Sequence, residues 1–126
     1  MGRAIRPVAL IVDDDTEQHE LIGALLEETG LQVIEVASSE EAVNTLRTRA
    51  REIVLIVAAM HLPSFMNGAR LAFYAQQWPW IRLVLISDDQ QSMDQLPRPA
   101  VVMQKPWLPL NVLIHAEKAI AVANHL

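Results

Sequence analysis

Val8-Ala9-Leu10-Ile11-Val12-Asp13-Asp14-Asp15 decides the fold of this chain: five consecutive apolar residues, stopped abruptly by three aspartates. A strand with one face in water alternates apolar and polar side chains, whereas an unbroken apolar run of this length suits a strand covered on both faces. Asp15 can then N-cap a helix starting at Thr16, and Gly30 supplies its C-terminal stop. Leu21, Ile22, Leu25 and Leu26 are expected to share one face of that helix.

The same cycle recurs to the C-terminal side. Gln32 to Val36 reads as a strand, and Ser38 with Glu41 has capping-box spacing ahead of a helix carrying Ala42, Val43 and Leu46. Ile53 to Ala58 is a third apolar run, and Ala69 to Trp78 reads as a helix after Gly68. Leu83 to Ile86 follows as another buried strand, bounded by Ser87-Asp88-Asp89. The stretch from Asp88 to Pro99 is polar and holds at most a short helix before a strand at Ala100 to Met103. Pro109 opens the last helix, where Leu110, Leu113, Ile114, Ala121 and Val122 form the expected apolar face beside polar positions such as Glu117.

Repeated strand–helix alternation with short connections implies a five-stranded parallel sheet covered by helices on both faces, a doubly wound α/β architecture. The runs at 8–12, 53–58 and 83–86 belong in its interior. Ligand sites of such sheets lie beyond the carboxyl ends of the strands, where strand order reverses. The residues to inspect are therefore Asp13 and Asp14, Ala59, Ser87, and Lys105 with Pro106.

Composition fits one domain spanning residues 1–126, the first few being a flexible start: 52% of residues are hydrophobic and 20% charged. With no cysteine, disulfides, zinc–thiolate sites and cysteine nucleophiles are excluded. A net charge of −5 with ten scattered basic residues argues against nucleic-acid binding. No apolar run approaches membrane-spanning length, and the N-terminus lacks the apolar stretch of a signal peptide. The expectation is a soluble, cytoplasmic protein.

Val-Asp-Asp-Asp at 12–15, Leu-Pro-x-x-Met-Asn-Gly at 62–68, Ser87, and Lys-Pro-Trp at 105–107 resemble the receiver domains of bacterial response regulators and hybrid kinases, over nearly the whole chain. Each motif alone is weak, but four in this order at successive strand ends are mutually consistent. The resemblance implies the flavodoxin-like (βα)5 receiver fold. It also implies that Asp13 and Asp14 are the acidic pair that binds Mg2+ together with an acceptor aspartate, and that Ser87 and Lys105 hold the incoming phosphoryl group. A carboxylate attacking phosphorus needs a cation to offset the crowded negative charge and a lysine on the phosphoryl oxygens.

Counting four residues back from Pro63 places the acceptor at Ala59; counting five on from Glu52 gives Val57. Neither is a carboxylate, and Ile53 through Ala69 contains no Asp or Glu. The expected Mg2+ site is accordingly weakened, and Lys105 is expected to form a salt bridge with Asp13 and Asp14 across the empty acceptor position. The family's aromatic switch position, three residues before the lysine, is Val102. Simpler readings stand beside these: a capped strand end for Asp13 and Asp14, a polar strand end for Ser87, a solvated lysine for Lys105. His61 reads as an exposed loop histidine, and His19, His115 and His125 form no constellation. Trp78, Trp80 and Trp107 read as core packing, with Trp107 a partner anchor if exposed.

The chain is thus expected to be a docking module of two-component phosphorelay signalling rather than an enzyme, unable to accept phosphate as it stands. The implied partners are a sensor histidine kinase, a phosphotransfer protein or another receiver, and a homodimer through the neighbourhood of Val101, Met103, Leu110 and Ile114 is a further expectation. The alternatives are phosphorylation at an unconventional residue such as Asp88, or a flavodoxin-like small-ligand binder. The latter lacks a glycine-rich phosphate loop after the first strand, where three aspartates stand instead.

Overall fold

The computed structural model describes residues 7–62, 67–88, 96–97 and 100–124. Within them the order is β1 (Val8–Val12), α1 (Thr16–Glu28), β2 (Gln32–Val36), α2 (Ser39–Arg49), β3 (Ile53–Ala59), α3 (Gly68–Ala75), β4 (Arg82–Ser87), β5 (Ala100–Gln104) and α4 (Pro109–Ala123). All strand pairings are parallel and the sheet order is β2-β1-β3-β4-β5, the doubly wound five-stranded arrangement expected from the sequence. The expected short helix between Asp88 and Pro99 falls mostly outside the described residues, as do Pro63 and Met66 of the Leu-Pro motif.

Burial explains the apolar runs. Every residue of β1 is buried, and β3 and β4 are buried along nearly their whole length. Successive side chains of β1 enter opposite cores: Val8, Leu10 and Val12 pack with Ala42, Leu46 and Leu71 on one side, and Ala9 and Ile11 with Ile22, Leu26 and Ala116 on the other. The edge strand β2 exposes Gln32 and Glu35, as an edge bordered by water must.

The caps fall where the sequence placed them. Asp15 accepts from the Gln18 N–H at 3.1 Å, Ser38 accepts from the Glu41 N–H at 3.2 Å, and Gly30 follows α1 with φ of +94°, a conformation that favours glycine. Asn67 caps α3 by accepting from the Arg70 N–H at 3.0 Å. That helix ends at Ala75 rather than at the expected Trp78, because Pro79 keeps the residue before it out of helical backbone. Trp78 turns back on Tyr74 edge-on at 5.5 Å, and the Trp80 indole donates to the Ala50 carbonyl that closes α2 at 3.2 Å.

Two helix faces differ from expectation. On α1, Ile22 and Leu26 are buried but Leu21 is 55% exposed. On α4 the buried face is Val112, Ala116 and Ala119, while Leu110, Ile114 and Val122 are exposed. The helix is apolar around much of its circumference, so periodicity does not identify the inward face, and the small residues are the ones that allow close approach to the sheet. Of the neighbourhood expected to self-associate, Leu110 and Ile114 are exposed and Val101 half-buried, but Met103 is buried in the core.

Candidate functional site

The strand order reverses between β1 and β3: the chain leaves β1 for β2 on one side and returns to β3 on the other. Beyond the carboxyl ends of these strands opens a pocket of about 300 Å³, lined by Asp13, Asp14, Asp15, Gln18, Ala59, His61, Ile86, Asp88 and Lys105. Ala59 is the last residue of β3 and forms part of this wall. Val57, the other register considered, is 3% exposed and packed among Ile11, Leu55 and Val112 in the core. The structure therefore brings Asp13, Asp14, Ala59 and Lys105 together and leaves Val57 out.

Asp13 is 2% exposed, so both its oxygens need partners. Oδ1 accepts the Asp15 N–H at 2.9 Å and Oδ2 accepts a Gln18 Nε2–H at 2.5 Å. Its carbonyl lies 3.1 Å from His19 Nδ1, whose Nε2 is 3.5 Å from Glu35 Oε1. Asp14 is exposed. His61, expected as an exposed loop histidine, is exposed and on the pocket wall.

Lys105 does not make the expected salt bridge to Asp13 and Asp14. Its Nζ pairs with Asp88 Oδ1 at 3.2 Å, with both side chains largely exposed. Over Asp13, the exposed Asp88 is the more accessible counter-ion, since the ammonium keeps its hydration there, whereas reaching buried Asp13 would strip it of water. The Lys105–Pro106 peptide is cis. Ser87 is 1% exposed at the end of β4, where its carbonyl accepts the Lys105 N–H at 2.9 Å, and it does not line the pocket.

Gly68 brings the start of α3 against the end of β3. A Cβ there would lie 2.4 Å from the Ala59 carbonyl oxygen and 2.9 Å from the Met60 Cα, and its N–H donates to the Met60 carbonyl at 2.9 Å. Only glycine permits that approach.

Gln18 carries no sequence motif. It lies in the first turn of α1, lines both the acidic pocket and a neighbouring groove formed with Leu21, Pro106, Trp107 and Pro109, and accepts the Trp107 Nε1–H on its Oε1 at 3.1 Å. Half-buried Trp107 is thereby packed and hydrogen-bonded at once. Its partner is 89 residues away in sequence, beyond any local spacing signal.

Mg2+ is a hard cation that takes oxygen ligands in near-octahedral geometry. Among the described residues, no three acidic, histidine or cysteine side chains converge as a metal-binding group. Ala59 offers no oxygen from its side chain, and both oxygens of Asp13 are engaged by N–H donors. As they stand, these residues make a weak site for the ion.

Comparison with known proteins gives a consistent result. Residues 9–99 match the family model of the response regulator receiver domain. Among solved structures, the chain is similar to a response regulator receiver domain protein from Clostridium thermocellum, with a TM-score of 0.82 at 18% identity over 94% of this chain and 98% of that one. A response regulator receiver protein from Sinorhizobium medicae gives a TM-score of 0.84 at 18% identity, covering 94% and 97%. The signal receiver domain of an HD domain-containing protein from Pseudomonas fluorescens gives 0.78 at 23% identity, covering 96% and 99%. No curated protein matches the chain.

Proposed function

The chain belongs to the response regulator receiver domain family, and from that premise we propose that it serves two-component signalling as a receiver that accepts no phosphate and acts by docking a protein partner. Receiver domains are not conventional enzymes. Their chemistry is the acceptance of one phosphoryl group on a carboxylate, so the acceptor position decides what a given member does.

The observation that carries the reading is Ala59 on the wall of the pocket at the sheet's reversal point, beside the acidic pair and Lys105. A methyl group has no lone pair to attack phosphorus. The wiring around it fits a pocket kept in one arrangement: Asp13 is satisfied internally and Lys105 is held by Asp88. Val102 on β5 supports the same conclusion, since a valine cannot make the inward and outward swing of an aromatic ring. The partner class that follows is a sensor kinase, a phosphotransfer protein or another receiver.

Asp88 supports a second reading, because it lines the same pocket and sits 3.2 Å from the Lys105 ammonium. Intact-mass measurement of the chain and of Asp88→Asn after incubation with Mg2+ and acetyl phosphate separates the two. The docking reading expects neither protein to gain a phosphoryl group. A labile phosphoryl group on the parent that disappears in Asp88→Asn replaces it with phosphorylation at Asp88.

A further inference from the structure

Besides the missing side-chain oxygen at Ala59, the side chain of Gln18 works against Mg2+ at Asp13. A carboxamide has one acceptor end and one donor end, and here both ends are assigned by chemistry. The Trp107 indole can only donate, so it takes the amide oxygen; the Asp13 carboxylate can only accept, so it takes the amide nitrogen. The result is a chain of fixed polarity, Trp107 Nε1–H to Gln18 Oε1 and Gln18 Nε2–H to Asp13 Oδ2, linking the segment after β5 to the acidic end of β1.

We propose that Gln18 is a positioning residue whose amide stands in for a cation at Asp13, so that loading the pocket with a divalent ion and holding Trp107 in place exclude one another. The Nε2–H group supplies partial positive charge to Oδ2 of a nearly fully buried carboxylate, the service an ion would otherwise perform. An ion approaching that oxygen must turn the amide away, and a displaced Gln18 can no longer accept from Trp107. The groove lined by Leu21, Pro106, Trp107 and Pro109 shares Gln18 with the acidic pocket, so the state of one cavity is passed to the other through a single side chain. This rests on reading Asp13 and Asp14 as the acidic pair of a receiver pocket.

The test is Mg2+ titration of the whole chain without any phosphodonor, followed by calorimetry and tryptophan emission, in the parent, Gln18→Met and Trp107→Phe. Trp78 and Trp80 pack against the opposite core and supply a constant background. Methionine has nearly the length of glutamine but donates no hydrogen bond, so Gln18→Met is expected to bind Mg2+ about tenfold more tightly than the parent, the effect of removing one competing hydrogen bond to a charged group. Trp107→Phe keeps the amide but frees its oxygen, and a gain of about threefold is expected. Mg2+ at high concentration is expected to shift the emission of the parent but not that of Gln18→Met. Equal affinity in the parent and Gln18→Met, including no binding in either, overturns the proposal, as does an emission shift that persists in Gln18→Met. Should Gln18→Met fail to fold, Trp107→Phe decides, and an affinity equal to the parent's overturns it. Phosphate uptake by the parent would defeat the docking reading without altering these titrations.

Discussion

Placing a carboxylate at position 59 has a cost that can be worked from the sheet. Ala58 pairs with Val12 in the β1–β3 ladder, so residue 59 and Asp13 follow each other on neighbouring strands, which run about 4.8 Å apart. Two carboxylates about 5 Å apart repel by about 3 kcal/mol at an effective dielectric near 20. Lys105 offsets little of this, since its ammonium is engaged by Asp88. Water in the open pocket screens part of the repulsion, and for a domain of this length the remainder lowers the melting temperature by about 5–10 °C. Thermal unfolding of Ala59→Asp followed by circular dichroism in EDTA should show that loss, and Mg2+ should reverse most of it while moving the parent by less than about 2 °C. A variant that melts with the parent in EDTA would refute the placement of residue 59 beside Asp13. Equal Mg2+ stabilisation of both proteins would refute the claim that the third carboxylate is what the pocket lacks.

Gly68→Ala drives a methyl group into the Ala59 carbonyl and should cost about 1–3 kcal/mol in urea unfolding; a change under about 0.5 kcal/mol would show that the loop yields freely. Trp80→Phe removes the donor to the Ala50 carbonyl and should cost about 1 kcal/mol in the same assay, with an unchanged midpoint counting against the bond. Burial, then the charges of Arg82 and Lys118, hold the His115 imidazole below its usual range, while its Nδ1 accepts from Arg82 Nε at 3.2 Å. The unfolded chain therefore takes up this proton more readily, so the contribution is intact above about pH 6.5 and is lost as the pH falls below it. The unfolding midpoint should drop less between about pH 7.5 and 5.5 in His115→Gln than in the parent, and parallel profiles would exclude a role for this group.

The fold was legible because its determinants are local. Continuous apolar runs marked β1, β3 and β4 as interior strands, and Asp15, Ser38 and Gly30 punctuated the helices through contacts within a few residues. The pocket was legible in part for the same reason: residues that directly follow parallel strands must converge at the sheet's carboxyl edge, which placed Asp13, Ala59 and Lys105 together. What sequence could not supply was the choice among long-range partners. Lys105 had carboxylates at two strand ends within reach, and the preference for Asp88 over Asp13 follows their relative burial. Gln18 carries no motif, and its role emerges only once Trp107 is folded against α1. The inward face of α4 is not legible in the sequence, because Leu110, Ile114 and Val122 are exposed while the smaller Val112, Ala116 and Ala119 are buried.

On the docking reading, the lack of a carboxylate at position 59 is what keeps this domain from accepting a phosphoryl group. Intact mass of the parent and of Ala59→Asp after the same exposure to Mg2+ and acetyl phosphate tests it most directly. No added phosphoryl group is expected on the parent, and a single, hydrolytically labile one on the variant. A phosphoryl group on the parent, or none on a folded variant, would contradict it.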